Sequence, residues 1–239
     1  MIVLGIIDVR EILPDRVGDV SQNKLYLRAK EAENRDEARL KMGAYLLLSY
    51  LSGKHMGRDE LPEVEYTADG KPYFVSVPEW QFNISHDRSL ATVVLTDEYS
   101  SVGVDIQSMP DRKIRLERIR ERFFSPLKYL AGGTAEIKQK HNTLPLSPQF
   151  FVAKPTADGY AIENISCFDG LEIIPGGDTE ELEFLTKWTL LEANVKATGD
   201  GISAYRESEK SDTDTYLCAF KHGKYTFSLA LAATLPKTE

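Results

Sequence analysis

Cysteine is scarce in this chain. Its 239 residues hold two, Cys167 and Cys218, at no metal-ligand spacing. That excludes a disulfide scaffold and a cysteine-built zinc site, and suits a reducing cytoplasm. Histidine is scarce as well, with four in all; His55, His141 and His222 stand at no partner spacing and receive no role. Positive charge is in deficit, 29 Lys and Arg against 37 Asp and Glu, a net charge of -8. A general nucleic-acid or membrane-surface binder needs the opposite balance, so neither partner is expected. Long apolar runs are missing. The apolar start, Met1 to Asp8, is too short to span a bilayer and lacks the basic flank and cleavage site of a signal peptide. It reads as a buried first strand, and nothing points to export. Hydrophobic residues make up 42%, ordinary globular usage, so a packed core is expected. The length suits one large or two small domains.

The patterning is mixed. Residues 2–9 read as a strand. Residues 22–51 are rich in Ala, Leu, Lys and Glu with helical spacing, which predicts two helices broken near Asn34. Val64 to Thr67 leads into Asp69-Gly70, a turn signal. Phe82 to Ser85 and Leu90 to Thr96 read as strands joined by Asp87-Arg88. Ser101 to Ile106 is another, with Val102, Val104 and Ile106 on one face and Gly103, Asp105 and Gln107 on the other, because side chains alternate. Residues 112–124 read as a helix with an apolar stripe and a basic one, Arg115, Arg118 and Arg122. Residues 132–177, rich in Gly, Pro, Thr and Asn with short β-like runs, read as an irregular insertion or an added hairpin. Glu180 to Thr198 is a predicted helix stopped by Gly199. Tyr216 to Phe220 and Tyr225 to Thr234 form a final hairpin. The run Phe82 to Leu95 is echoed faintly by Tyr225 to Ala232. The fold class expected is therefore α+β, as two similar halves meeting at a cleft: residues 1–101, and residues 102–239 carrying the 132–177 insertion.

Several residues carry chemistry. Asp105 and Gln107 at a strand end offer one anionic and one neutral oxygen, a pairing that suits Mg²⁺, or else a polar strand end facing solvent. Glu192 and Lys196 stand four apart on a helix, where they form either an ordinary surface pair or a second carboxylate and a phosphate-binding ammonium. Asn83 to His86 ends a strand, and Ser85 and His86 could donate to a phosphate. The segment Asp111 to Arg122 carries six basic and three acidic residues. It is a basic element in an acidic protein, and it suits an acidic macromolecular partner as well as a solvated helix face.

The order of the pieces is more specific than any one of them. Gly70-Lys71-Pro72, Phe82-Asn83-Ile84-Ser85-His86, Val102-Gly103-Val104-Asp105-Ile106, Arg122-Phe123-Phe124-Ser125-Pro126 and Trp188-Thr189…Glu192-Ala193…Lys196…Gly199…Gly201 follow one another along the chain. The set resembles the 4′-phosphopantetheinyl transferase superfamily, in its monomeric, double-length form. The resemblance implies transfer of the phosphopantetheine arm of coenzyme A to a serine of an acyl or peptidyl carrier protein, with release of adenosine 3′,5′-bisphosphate. It implies two halves related by pseudo-two-fold symmetry with coenzyme A between them, and Mg²⁺ at Asp105, Glu192 and Gln107. By the same resemblance Asp105, Glu192 and Lys196 are catalytic, with Glu192 accepting the serine proton. Lys71, Ser85, His86, Lys24, Arg28 and Lys196 hold coenzyme A, and Arg115, Arg118 and Arg122 meet the carrier protein. A cytoplasmic monomer is expected.

The chain departs from the pattern at three residues. Gln107 replaces a frequent Glu, Leu191 a usual Lys, and Lys128 a common Glu; the connection from Phe124 to Trp188 is also long. These departures keep other readings in play: a relative that binds coenzyme A without efficient transfer, a carrier-protein-binding module, or a Mg²⁺-dependent phosphohydrolase.

Overall fold

The computed structural model describes residues 1–10, 12–14, 22–108, 149–156, 159–165, 171–173, 180–199, 215–222 and 225–234. The apolar start forms β1 (Ile2–Asp8), every residue of which is buried except the last, half-buried Asp8. Two helices follow, α1 (Lys24–Lys30) and α2 (Arg35–Met56), separated where the break near Asn34 is expected. The cause of the break is a cap. The Asn34 side chain accepts from the Glu37 N–H at 2.7 Å, satisfying one of the first-turn donors that no helix can satisfy internally. Asn23 caps α1 in the same way, and its amide also donates to the Pro62 carbonyl at 2.8 Å.

Strands β2 (Val64–Tyr66) and β3 (Pro72–Phe74) pair around the Asp69-Gly70 turn, which Gly70 closes at φ +84°. Strands β4 (Gln81–Asp87) and β5 (Leu90–Thr96) form an antiparallel hairpin, and β6 (Ser101–Ser108) follows. Strands β7 (Gln149–Thr156) and β8 (Gly159–Ile165) form a second hairpin, and β9 is Leu171–Ile173. Helix α3 (Glu180–Thr198) ends, as expected, at Gly199, whose φ is +81°. Strands β10 (Thr215–His222) and β11 (Tyr225–Thr234) complete the described chain.

The five-stranded sheet has the order β4-β5-β1-β7-β8, and the four-stranded sheet β6-β11-β10-β9. The pairing is antiparallel except for β1 beside β7. The fold is mixed helix and sheet, compatible with the α+β class. The stretch expected as an irregular insertion or an added hairpin holds a hairpin. Its described residues include the β7–β8 hairpin, which extends the first sheet through β1, and β9, which edges the second. The expected helix over 112–124 lies outside the described residues.

The main core lies between α2 and the first sheet. Met42, Leu47, Leu48 and Leu51 pack there with Val3, Ile7, Val93, Leu95 and Phe151. Leu47, Leu48 and Leu51 are fully buried, each contributing on the order of 2 kcal/mol by removal from water. The two large sheets meet where β4, at the edge of one, faces β6, at the edge of the other. Side chains make the join. Asn83 Oδ1 accepts from the Val104 N–H at 3.1 Å, and Ser85 Oγ receives a longer contact from the Ile106 N–H at 3.4 Å. Val102 to Ile106 are buried without exception, so these two polar side chains satisfy edge donors that water does not reach.

Candidate active site

Alternation along β6 turns Asp105 and Gln107 to the face that α3 covers. Asp105 is 1% exposed, which excludes the solvent-facing strand end. Both its oxygens are bonded: Oδ1 accepts from Ser85 Oγ at 2.8 Å and from the Lys196 ammonium at 2.6 Å, and Oδ2 accepts from Gln107 Nε2 at 3.2 Å. A buried carboxylate is tolerable on those terms and costly on others. Lys196 reaches Ser85 Oγ as well, at 2.9 Å. Gln107 Nε2 donates in addition to Glu192 Oε2 at 3.2 Å, so one amide spans the carboxylates of β6 and α3. The opposite amide orientation would set an oxygen between two carboxylate oxygens, and the hydrogen-bond network therefore favours this assignment.

Helix α3 brings Glu192 and Lys196 to β6 because Gly103 lets it come close. A Cβ at Gly103 would lie 2.0 Å from the Ala193 carbonyl oxygen and 2.4 Å from the Ala197 nitrogen. A glycine inside a strand marks this kind of backbone approach. The surface-pair alternative for Glu192 and Lys196 therefore does not describe them; both turn toward β6. Val195 and Leu191 are buried on α3, and Trp188 is half-buried.

Burial, together with the nearby Asp105 charge, pushes the Glu192 carboxyl up to about 7, against the opposing pull of Lys196. The His86 residue is exposed, yet desolvation of its ring, then the Lys196 charge, holds it below the ordinary histidine value. Burial lowers Lys71 to about 8. Its ammonium donates to Ser101 Oγ at 2.5 Å and to the Ala197 carbonyl at 2.8 Å.

A cavity of about 240 Å³ opens between the 69–72 turn, β4 and the end of α3, lined by Asp69, Lys71, Asn83, Ile84, Lys196 and Gly199 among others. Of the other basic residues singled out, Lys24 pairs with Glu65 and the Arg28 guanidinium lies 3.6 Å from the Tyr66 ring centre. Tyr66 faces Pro72 across the small sheet, so both stand beside the turn that carries Lys71. Arg115, Arg118, Arg122 and Lys128 lie outside the described residues.

Over 72 residues the chain is 36% identical to a 4′-phosphopantetheinyl transferase of Bacillus subtilis. The match covers 30% of this chain and 28% of that protein. No family model matches. The likeness thus spans less than a third of either chain.

Sequence reasoning brought Asp105, Gln107, Glu192, Lys196 and Ser85 forward, and the fold assembles all five. It missed three parts: Asn83 as a bridge between the sheets, Gly103 as the seat of α3, and Ser101 beside Lys71. The signal for Gly103 was present, a glycine in the middle of an apolar strand. Nothing local marks Ser101 or Asn83, because their partners, Lys71 and Ala197 for the one and Val104 for the other, are distant in sequence.

Proposed function

We propose that this protein transfers the 4′-phosphopantetheine arm of coenzyme A to a serine hydroxyl of an acyl or peptidyl carrier protein, in a Mg²⁺-dependent reaction. The observation that carries the reading is the convergence of Asp105 from β6 with Lys196 from α3 at Ser85, and with Glu192 of α3 through the Gln107 amide. The partial likeness to a transferase of that name agrees with it.

The donor set fits the metal. Two close carboxylates, one raised by burial and then by the charge of the other, repel in partly desolvated surroundings, and Mg²⁺ takes one or two carboxylates plus water and substrate phosphates. Among the described residues no group of three or more His, Cys, Asp or Glu could hold an ion. Asp105 and Glu192 would hold the Mg²⁺, with Gln107 as a neutral neighbour. When bound, it supplies neutralisation of pyrophosphate charge.

The chain's own residues do the rest. The carrier serine oxygen bonds to the β-phosphorus of coenzyme A, the bond from that phosphorus to the bridging pyrophosphate oxygen breaks, and adenosine 3′,5′-bisphosphate leaves. Glu192, directly or through a water, takes the serine proton. Lys196, a third exposed, turns its ammonium to a pyrophosphate oxygen and stabilises charge that builds there. His86, beside Ser85, donates to the nucleotide end, and Lys24 and Arg28 face its 3′-phosphate. The basic stripe Arg115, Arg118 and Arg122 receives the acidic carrier protein. The protein is proposed to be a cytoplasmic monomer of two similar halves. Among the described residues no helix is long and apolar enough to cross a membrane.

Intact-protein mass spectrometry tests the reading. Apo carrier protein incubated with the enzyme, coenzyme A and Mg²⁺ gains the mass of one phosphopantetheine arm. No gain across fatty-acid, polyketide and peptide-synthetase carriers would overturn it, and retained coenzyme A binding would then mark a non-transferring relative.

A further inference from the structure

The Lys71 ammonium does not stand free at the cavity wall. Its two recorded acceptors are neutral oxygens, Ser101 Oγ at the start of β6 and the carbonyl of Ala197 in the last turn of α3. Ser101 Oγ donates to the same carbonyl. That carbonyl belongs to the last turn, whose oxygens have no partner within the helix. Its neighbour Val195 O is taken by the Gly199 N–H at 2.9 Å, which leaves Ala197 O to an outside donor. A cation is the favoured group at a helix C-terminus, where the macrodipole is negative.

The segment that delivers Lys71 is itself braced. The Lys71 N–H donates to Thr67 Oγ1 at 3.0 Å, and the Thr67 N–H to the Lys71 carbonyl at 2.9 Å. Three elements far apart in sequence, the 67–71 turn, the start of β6 and the end of α3, therefore meet at one ammonium. Ala197 directly follows Lys196. Gly103 already holds α3 against β6 at Ala193 and Ala197, and the Lys71 contact fixes the same turn from the other side.

We infer that Lys71 is a positioning residue: with Ser101 it latches the last turn of α3 to β6 and so sets where Lys196 and Glu192 stand relative to Asp105. This differs from a direct phosphate contact, the role that resemblance implies for this lysine. It goes beyond the proposed transfer and is read in the free protein, so its failure and the failure of the transferase reading are separate results.

The test compares Lys71→Met, Ser101→Ala and the double variant. Ser101→Ala keeps the cation and guards against a Lys71 variant that fails to fold. The first readout is amide hydrogen exchange at residues 196–199 in the free protein. The second is the NMR signal of the Lys196 side chain, and the third is thermal melting. Each single variant should speed exchange in that turn by roughly tenfold, shift the Lys196 signal and lower Tm by about 2–4 °C. The double variant should do more than the two singles summed, because each single variant leaves the Ala197 carbonyl one of its two donors. In transfer assays Lys71→Met should lower kcat and leave the coenzyme A KM within about twofold. Wild-type exchange at 196–199 in both single variants would overturn the latch. So would strictly additive effects, or a Lys71→Met variant that loses coenzyme A binding while exchange in the turn stays unchanged.

Discussion

The backbone of Ala193 rests on Gly103 more closely than any side chain would allow. A Cβ at Gly103 would stand 2.0 Å from the Ala193 carbonyl oxygen. The obstacle is helix backbone, which cannot rotate aside as a side chain tip can. The relationship therefore sets the height of α3 above β6, and with it the reach of Glu192 and Lys196 to Asp105.

Gly103→Ala should lift α3 from β6. Overpacking of this kind costs about 3 kcal/mol, and the Lys196–Asp105 contact of 2.6 Å should be lost with it. Urea unfolding measures the first effect and a crystal structure of the variant the second. A stability within 1 kcal/mol of wild type would show that the helix accommodates the methyl group.

Asp105→Ala removes the acceptor that Ser85, Lys196 and Gln107 share. Transfer should fall below detection by mass spectrometry. Removing one partner of a fully buried pair costs about 3–5 kcal/mol, but Lys196 is a third exposed and can turn to solvent, so a loss of about 1–2 kcal/mol is expected. Wild-type turnover in this variant would remove Asp105 from the reaction.

Gln107→Glu replaces a neutral bridge between two carboxylates with a third negative charge. The free protein should become less stable in the presence of a chelator. The Mg²⁺ concentration for half-maximal rate should fall by about fivefold, equivalent to about 1 kcal/mol. Calorimetric Mg²⁺ titration and chelator-dependent melting check the two effects separately. An unchanged or higher Mg²⁺ requirement would show that this side chain does not face the metal.

The Lys71 ammonium should titrate at about 8 in the folded protein, measured by the ¹³Cε shift. Below that pH the group is charged in both folded and unfolded chains. Between about 8 and the ordinary lysine value the unfolded chain binds a proton that the folded chain has released, so this group's contribution to stability rises with pH across that window. The cause is the cost of a buried charge, which deprotonation relieves. A titration above pH 10 would show an ammonium in contact with water.

Much of the element list was legible along the chain. Asn34 as a helix start and Gly199 as a helix stop act through donors and acceptors one turn away. The alternation on β6 that groups Gly103, Asp105 and Gln107 is likewise local. The pairing of β7 with β1 was not legible, because those partners, such as Val3 and Gln149, lie 146 residues apart and apolar runs do not name their neighbours. The same division runs through the site. The residue types and their order determined which carboxylates, amide and ammonium could serve a phosphate and a divalent cation. Only the tertiary structure decided that Asp105 is buried, that Gln107 spans it and Glu192, and that Lys71 bonds to the end of α3. Side-chain chemistry is written residue by residue, whereas desolvation and hydrogen bonding across 85 or 126 positions exist only once the sheets and α3 have packed.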